Sequence, residues 1–179
     1  MPIVLRKRFS TCNDFWNFTL MSNSIRPIPT FYDGTMFRSR LEARWAHFFN
    51  LCKIKWQYEL EGYEFDDSRY LPDFYLPDTK LFIEIKPNLN FLKEDLVVKK
   101  ISEFSQKSKD KLLVFVDIPT KAKYYWFAGF TDINTGKPFL SECALVWLLN
   151  TKGEYHPLYY DRSAEADDWM FESASNFRF

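Results

Sequence analysis

Asp73, Glu84 and Lys86 are the residues of this chain whose types and spacing could do chemistry together. Two carboxylates offer the hard oxygen ligands that Mg²⁺ prefers, and the ion keeps positions open for phosphate oxygens. A metal held in this way can polarise a phosphodiester and ready a bound water as the nucleophile. A neighbouring lysine can position or deprotonate that water and offset the charge that develops on phosphorus. The set is therefore complete for phosphodiester hydrolysis.

The three residues fall within a predicted β-hairpin. Residues 70–76 form an extended run, residues 81–86 alternate in polarity, and the Pro-Asp-Thr-Lys segment at 77–80 is typical of a turn. If the residues that flank this turn pair with each other, Asp73 lies directly opposite Glu84, which shares a face with the lysine two residues on. Like charges directly opposite each other destabilise a sheet. We therefore expect a cation to hold the two carboxylates together.

A predicted helix that starts near Arg38 precedes the hairpin. Ser39 and Glu42 fit the capping-box pattern, with Ser39 at the N-cap and Glu42 reaching back to its amide. Apolar residues then recur at helical spacing and mark a buried face: Leu41, Trp45, Phe48, Phe49 and Cys52. Glu42 lies beside that face, near the start of the helix, and the capping box explains it without any metal.

The remaining elements alternate between strand and helix. Residues 55–61 alternate as a half-buried strand, a second helix follows residues 89–92, and residues 111–117 are a continuous apolar run typical of a buried central strand. The apolar stripe of the second helix is Leu92, Leu96, Val97, Ile101 and Phe104. Further on we predict a strand at 124–130, a segment of ambiguous type at 143–149 and a short helix within 163–179. The order predicts an α/β fold with the hairpin in the middle of the sheet.

Length and composition limit the class of protein. The 179 residues suffice for one domain, and we expect an N-terminal extension over residues 1–29 and a single domain over residues 30–179, with its core at 30–117 and a C-terminal elaboration at 118–179. The net charge is zero, which argues against a protein that coats nucleic acid without specificity. The three cysteines lack metal-ligand spacing, so we expect reduced thiols and an intracellular location. No membrane span is expected, because no apolar run approaches roughly 18 residues.

The sequence lacks the residue patterns that other hydrolytic mechanisms require. The chain has two histidines, His47 and His156, and neither lies in a setting typical of a serine or cysteine triad. Neither the phosphate-binding loop pattern G-x-x-x-x-G-K-[ST] nor the Rossmann glycine pattern is present. Nucleotide hydrolysis by those two routes is therefore excluded.

The motif Pro-Asp at 72–73 followed by Glu-Ile-Lys at 84–86 resembles the signature of the PD-(D/E)XK nuclease superfamily. Upstream, F-R-S-R-L-E-A-R-W-A at 37–46 resembles the first-helix glutamate motif of that superfamily and the first helix of small nucleases from phages and bacteria. Tyr-Glu at 58–59 and Y-L-P-D-F-Y-L-P at 70–77 are similar to phage endonuclease I-type Holliday-junction resolvases. The resemblance covers residues 30–117 and departs from many relatives after the lysine, where Pro-Asn stands in place of glycine.

This resemblance implies a restriction-endonuclease-like αβββαβ core, with a mixed central sheet flanked by helices. It implies that Asp73, Glu84 and the backbone carbonyl of Ile85 bind Mg²⁺, for which Mn²⁺ would substitute. Lys86 would be the catalytic lysine, and Glu42 would add a ligand directly or through water. Catalysis would therefore depend on Glu42, Asp73, Glu84 and Lys86.

The resemblance also implies a partner and a substrate. DNA is the expected partner, an endonuclease the expected activity, and junction or branched DNA a candidate substrate, for which a homodimer would supply two active sites. Candidate phosphate contacts are Arg38, Arg40, Arg44, Lys99 and Lys100, with solvated helix faces as the alternative explanation. Two other functions stay open: a nucleic-acid-binding or assembly module without turnover, and an RNA endonuclease.

Overall fold

The computed structural model describes residues 6–7, 26–65, 68–108, 110–120, 125–131, 134–135, 138–143, 145–149, 151–153, 155–159 and 168–179. In chain order, the elements are β1 (Arg6–Lys7), β2 (Thr30–Tyr32), β3 (Thr35–Phe37), α1 (Arg40–Leu51), β4 (Gln57–Tyr58), β5 (Gly62–Phe65), β6 (Ser68–Tyr70), β7 (Phe74–Leu76), β8 (Leu81–Lys86), a 3₁₀ helix (Leu89–Lys93), α2 (Asp95–Lys107), β9 (Lys111–Val116), β10 (Tyr125–Thr131), β11 (Pro138–Cys143), β12 (Leu145–Leu149), β13 (Tyr155–Tyr159) and α3 (Asp168–Asn176).

The central sheet has six strands in the order β11-β10-β9-β8-β7-β4. β8 and β9 are parallel and are joined through α2, whereas the other neighbouring strands are antiparallel. A parallel connection needs a crossover segment of this kind, whereas antiparallel strands can be joined by a short turn. The structure is thus a mixed α/β fold with a mixed central sheet flanked by helices. β8 and β9 occupy its centre, and β7 lies one strand from the edge.

The two faces of this sheet pack against different helices. Ile83 and Ile85 of β8 belong to a core with Trp45 and Phe49 of α1. Phe82, which points the other way, belongs to a second core that includes Ile101 and Phe104 of α2. Side chains alternate between the faces of a strand. Ile83 and Ile85 therefore lie on the opposite face of β8 from Glu84, as predicted.

The register predicted for the hairpin is confirmed for three residue pairs. Leu76 pairs with Leu81, Tyr75 with Phe82 and Phe74 with Ile83. The prediction of one extended run over residues 70–76 was wrong, because residues 71–73 belong to no strand and separate β6 from β7. Pro72 lies in this interruption and has no N–H to donate to a ladder. As a result Asp73 lies one residue before the paired part of β7.

The strand predicted over residues 55–61 is shorter than expected. β4 has only two residues, and Glu59 follows with a left-handed φ of 45°. Few non-glycine residues adopt that conformation, and here it ends the strand and leaves Leu60 exposed. The next residues form the β5–β6 hairpin, which the sequence did not indicate and which joins β1 in a separate three-stranded sheet.

Predictions for the later elements were mostly confirmed. The described α2 buries Ile101 and Phe104 as expected, but Leu96 is 60% exposed in its first turn and was wrongly assigned to the apolar stripe. β9 is buried over most of its length, and β10 and α3 form where a strand and a short helix were predicted. The ambiguous segment at 143–149 spans the end of β11 and the whole of β12. Most of the predicted N-terminal extension lies outside the described residues.

A group of uncharged polar side chains joins α1 to its neighbours away from the hairpin charges. The ring of His47 bonds the Tyr32 hydroxyl through Nδ1 at 2.9 Å and the Ser173 hydroxyl through Nε2 at 3.3 Å. Asn50 also donates to the Tyr32 hydroxyl, at 3.2 Å. Phe177 covers the His47 ring, with 4.0 Å between ring centroids. We call Tyr32, His47, Asn50 and Ser173 the neutral cluster.

Candidate active site

Four acidic and two basic side chains meet where β7 begins and β8 ends. The acids are Glu42, Glu59, Asp73 and Glu84, the bases are Arg38 and Lys86, and we call these six residues the charged cluster. Glu42 comes from the first turn of α1, and Arg38 from the connection between β3 and α1. Three of the acids are almost inaccessible to solvent, with Asp73 3%, Glu84 6% and Glu42 8% exposed. Carboxylates buried to this extent require partners.

Asp73 is held by the strand opposite it. Its Oδ2 accepts a hydrogen bond from the Ile85 amide at 2.7 Å, and its Oδ1 accepts from Arg38 Nη2 at 2.6 Å. Its backbone carbonyl accepts from the Glu59 amide at 2.9 Å. The direct Asp73–Glu84 pairing expected from the register is not among the residue pairs of this ladder, which begins at Phe74. The carboxylate reaches across to the backbone of the facing strand instead.

Glu84 is bound through both of its carboxylate oxygens. Oε1 accepts from Lys86 Nζ at 2.7 Å, and Oε2 accepts from the buried Tyr70 hydroxyl at 2.8 Å. Tyr70 lies on β6 in the separate sheet, and its ring packs against Phe104 of α2. Sequence reasoning missed this residue as a partner of the site, because β6 was not predicted as a strand of its own.

Glu42 has a structural role at the start of α1. Ser39 is the N-cap and accepts from the Glu42 amide at 3.2 Å, as predicted. The Glu42 carboxylate accepts from the Ser39 hydroxyl at 2.7 Å, from the Arg38 amide at 3.2 Å and from the Tyr58 hydroxyl. The expected bond to the Ser39 amide is therefore replaced by one to the preceding amide. The Tyr58 contact ties β4 to the helix, and no local pattern indicated it.

Arg38 supplies the cation that the facing carboxylates were expected to need. Its Nη2 is 2.6 Å from Asp73 Oδ1, and its Nε is 2.6 Å from Glu59 Oε1. Its side chain is nevertheless 46% exposed as a whole, whereas the side chains of Glu59 and Asp73 that it contacts are only 17% and 4% exposed. The sequence suggested Arg38 as a phosphate contact, and Glu59 lies in the run over residues 55–61 that was predicted as a half-buried strand. The structure places both within the charged cluster.

The pKa values of Asp73, Lys86 and Arg38 are all raised, and the neighbouring acids of the charged cluster contribute to each of these shifts. Burial, together with the neighbouring Glu84 and Glu42, raises the pKa of Asp73 well above its usual value of 3.8. Burial alone would lower the pKa of Lys86, but the attraction of Glu84 and Asp73 outweighs it and raises that pKa. Burial opposes the charge of Arg38 as well, and Asp73 and Glu59 reverse the effect and raise its pKa. Lys86 and Arg38 are therefore cationic at neutral pH.

The donor set fits a divalent cation in chemistry and in charge. The four acids, if ionised, outnumber the two cations by two charges, and carboxylate oxygens are the ligands that Mg²⁺ prefers. Within the part of the chain that the structure describes, no three acidic, histidine or cysteine side chains converge as a ready metal site. Both oxygens of Asp73 and of Glu84 accept hydrogen bonds from protein groups. A metal would therefore have to replace some of those bonds.

The other candidate phosphate contacts are not brought to the charged cluster by any described contact. Arg40 is exposed and Arg44 half-buried on α1, and the Arg44 Nε is buried without a hydrogen-bond partner among the described residues. On α2, Lys99 is 56% exposed and lies 3.7 Å from Glu103, and Lys100 is half-buried. Their role in binding nucleic acid stays a prediction, as does the role of the Ile85 carbonyl.

Comparison of the chain with protein-family models, with curated proteins and with solved structures found no match. Among the described residues, no helix has both the length and the apolar character needed to cross a membrane.

Proposed function

We propose that this protein is a Mg²⁺-dependent endonuclease of the PD-(D/E)XK type that hydrolyses phosphodiester bonds in DNA. The observation that carries the proposal is the burial of Asp73 and Glu84 beside Lys86 at one end of the hairpin, with the helix glutamate Glu42 next to them. Burying several acids together destabilises a fold unless a partner neutralises them. Ionisable groups with strongly shifted pKa values cluster at functional sites, which supports a functional role for this group.

The order and direction of the strands support the same proposal. α1, β4, β7, β8, α2 and β9 follow one another in the chain, with the β5–β6 hairpin between β4 and β7. Their four strands are neighbours in that order, antiparallel up to β8 and parallel from β8 to β9. This arrangement agrees with the αβββαβ core expected for a restriction-endonuclease-like fold. On that reading, the β5–β6 hairpin is an insertion.

The residues of the site have separate tasks in this proposal. Asp73, Glu84 and the Ile85 carbonyl would hold Mg²⁺, and Glu42 would bind it directly or through water. When bound, the ion supplies Lewis-acid polarisation of the phosphate and a more acidic water. The Ile85 amide keeps the Asp73 carboxylate oriented, and the Tyr70 hydroxyl does the same for Glu84. Such supporting hydrogen bonds fix the orientation of ligands.

Lys86 acts in this proposal as a cation, not as a base. Its Nζ already donates to Glu84 at 2.7 Å, and its raised pKa keeps it protonated near neutral pH. A protonated lysine can donate a hydrogen bond to the nucleophilic water or to a phosphate oxygen, and it offsets the charge that develops on that oxygen. It cannot accept a proton while it carries one, so water deprotonation requires another acceptor.

The test is a panel of labelled substrates incubated with Mn²⁺ or Mg²⁺: duplex, single-stranded, flap and four-way-junction DNA, and matched RNA structures. Asp73→Ala should abolish cleavage, and Asp78→Ala is the matched control. Asp78 lies in the turn of the same hairpin and makes a surface ion pair of 3.6 Å with Lys55. Equal cleavage by the wild type and Asp73→Ala would refute the proposal. Cleavage of RNA alone, or binding without cleavage, would favour one of the two alternative functions.

If the substrate is a DNA junction, the proposal also requires that the chain forms a homodimer. Cutting a junction on two strands requires two active sites, and a homodimer supplies them. Light scattering of the purified chain, with and without an uncleaved junction, measures this directly. A monomer in both samples would restrict the proposal to substrates that need a single cut.

A further inference from the structure

Arg38 is bound by two acids that lie on different segments of the chain. Its Nη2 contacts Asp73 Oδ1 and its Nε contacts Glu59 Oε1, both at 2.6 Å. Guanidinium groups present several N–H donors in one plane, so these two contacts leave an edge of the group available. The side chain as a whole is 46% exposed. The remaining N–H donors of Arg38 are therefore the groups that we consider for binding another anion.

The Asp73 contact of Arg38 competes with any metal at that carboxylate. Oδ2 of Asp73 is already bound by the Ile85 amide on β8, so Oδ1 is the oxygen whose partner can change without disturbing the sheet. A cation that takes Oδ1 must displace the guanidinium. By linkage, whatever stabilises Arg38 on Asp73 weakens the apparent affinity for the metal by the same factor.

Glu59 provides a second attachment that does not depend on Asp73 Oδ1. Its amide donates to the Asp73 backbone carbonyl at 2.9 Å, and its left-handed φ of 45° marks a constrained position at the end of β4. Its side chain is only 17% exposed. Glu59 thus stays in place when the Asp73 side chain exchanges its partner, and it can retain the Nε end of Arg38.

Lys86 is placed differently from Arg38. It lies on the same strand face as Glu84, two residues along, and its side chain is 22% exposed. Its contact with Glu84 follows from the alternation of β8, whereas Arg38 reaches Asp73 from a connection outside the central sheet. The two cations of the charged cluster therefore reach their acids from different parts of the fold.

We propose that Arg38 alternates between two anions: it neutralises Asp73 while no metal is bound, and it binds the scissile phosphate once Asp73 holds a divalent cation. Glu59 retains the Nε of Arg38 in both states and aims the outer edge of the guanidinium at the substrate. The inference rests on the proposed function, and it adds a phosphate-binding residue and a reason why the acids are stable before metal arrives. Arg38 would thus weaken metal binding and strengthen catalysis.

The test measures Mn²⁺ affinity and cleavage separately for the full chain at pH 8. Calorimetric titration with Mn²⁺ alone compares the wild type with Arg38→Ala and Arg38→Gln. Removing a charge-assisted competitor should tighten Mn²⁺ binding by about tenfold. At saturating Mn²⁺, the same variants should cleave DNA about 10²-fold more slowly, because one stabilising donor to the phosphate is lost. Glu59→Gln should slow cleavage less than either.

Arg178→Ala is the matched control, because Arg178 is an exposed arginine that has no assigned role in the charged cluster or in DNA binding. It should leave Mn²⁺ affinity unchanged. Thermal melting shows which Arg38 variant is folded, and the glutamine keeps most of the side chain if the alanine is not. Mn²⁺ affinity that is unchanged or weaker in a folded Arg38 variant overturns the inference. If the wild type and Asp73→Ala both bind no Mn²⁺, the proposed function itself fails.

Discussion

Helix α1 takes part in two polar clusters that solve the problem of buried polar groups in different ways. In the neutral cluster, His47 uses both ring nitrogens, one towards Tyr32 and one towards Ser173. Its four side chains carry no formal charge at neutral pH, and Asn50 also donates to the exposed Asp33 carboxylate at 2.8 Å. In the charged cluster, Glu42 and its neighbours keep more acids than bases near one another. The first arrangement can be satisfied by hydrogen bonds alone, whereas the second keeps an excess of acids, which we propose an added cation neutralises.

From this difference we propose that the neutral cluster serves stability and the charged cluster serves activity. Changes in the neutral cluster should lower the free energy of unfolding and leave the chemistry of the folded molecules intact. Changes in the charged cluster should affect cleavage far more than folding, because we propose that its members bind the metal and the substrate. Proteins commonly give up stability at functional sites in this way. The four predictions that follow test this division.

The largest effect is expected from Lys86→Met. The substitution keeps the apolar stem of the side chain and removes the charge that we assign to the phosphate and the water. Cleavage at saturating Mn²⁺ should fall by about 10³-fold, whereas far-UV circular dichroism should stay as in the wild type. Single-turnover rates on a labelled duplex measure the loss. A variant that cleaves within a few-fold of the wild type would remove Lys86 from the mechanism.

Divalent ions should stabilise the protein through the charged cluster. At a free Mn²⁺ concentration about 100 times the dissociation constant, the free energy of unfolding should rise by about 2.7 kcal/mol. Urea titrations with Mn²⁺ and with chelator measure this difference. Asp73→Ala should abolish it, and His47→Gln should retain it in full. Equal stabilisation of Asp73→Ala would place the binding site elsewhere in the chain.

His47→Gln tests the neutral cluster and its dependence on pH. Burial lowers the pKa of His47 below its usual 6.5, so the unfolded chain takes up the proton first as the pH falls. The contribution of neutral His47 to the free energy of unfolding is therefore complete above pH 6.5. It is lost as the pH falls through 6.5 towards the lower pKa of the folded state. At pH 8 the variant should lose about 1 kcal/mol of unfolding free energy, the cost of a hydrogen bond.

The pH dependence of the stability difference provides a further check on this prediction. As the pH falls from 8 to 5, the stability difference between the wild type and His47→Gln should shrink. The wild type then loses the stabilising contribution of neutral His47, which the variant lacks at every pH. Cleavage per folded molecule should be unchanged by the substitution at pH 8. A difference that grows towards low pH would mean that protonated His47 is the favoured form in the fold.

The smallest effect is expected from Lys99→Ala, at a candidate phosphate contact. If Lys99 contacts DNA, the slope of log affinity against log salt should decrease by about 0.9, the value for one phosphate. Lys80→Ala is the control, since Lys80 is exposed at the turn of the hairpin, the end away from the charged cluster. Fluorescence anisotropy in chelator gives both slopes. Identical slopes for the two variants would make Lys99 part of a solvated helix face.

Local patterns predicted those parts of the site whose geometry depends on residues close in sequence. The alternation of β8 and the short turn before it determined the register of the hairpin and the face shared by Glu84 and Lys86. The Ser39 N-cap was predicted for the same reason, because its bonds span three residues. The break after Tyr70 was missed, although Pro72 was a signal for it, because the flanking residues read as one extended run.

The amino-acid sequence by itself determined that two acids and a lysine would lie together at the end of one hairpin, since a strand has a period of two. The tertiary structure decided what surrounds them. Arg38 reaches Asp73 across 35 residues, and Tyr58 reaches Glu42 across 16. Long side chains of this kind take their direction from strands and helices that only the complete fold brings together. The carboxylates were therefore visible in the sequence, and the cation that neutralises Asp73 was not.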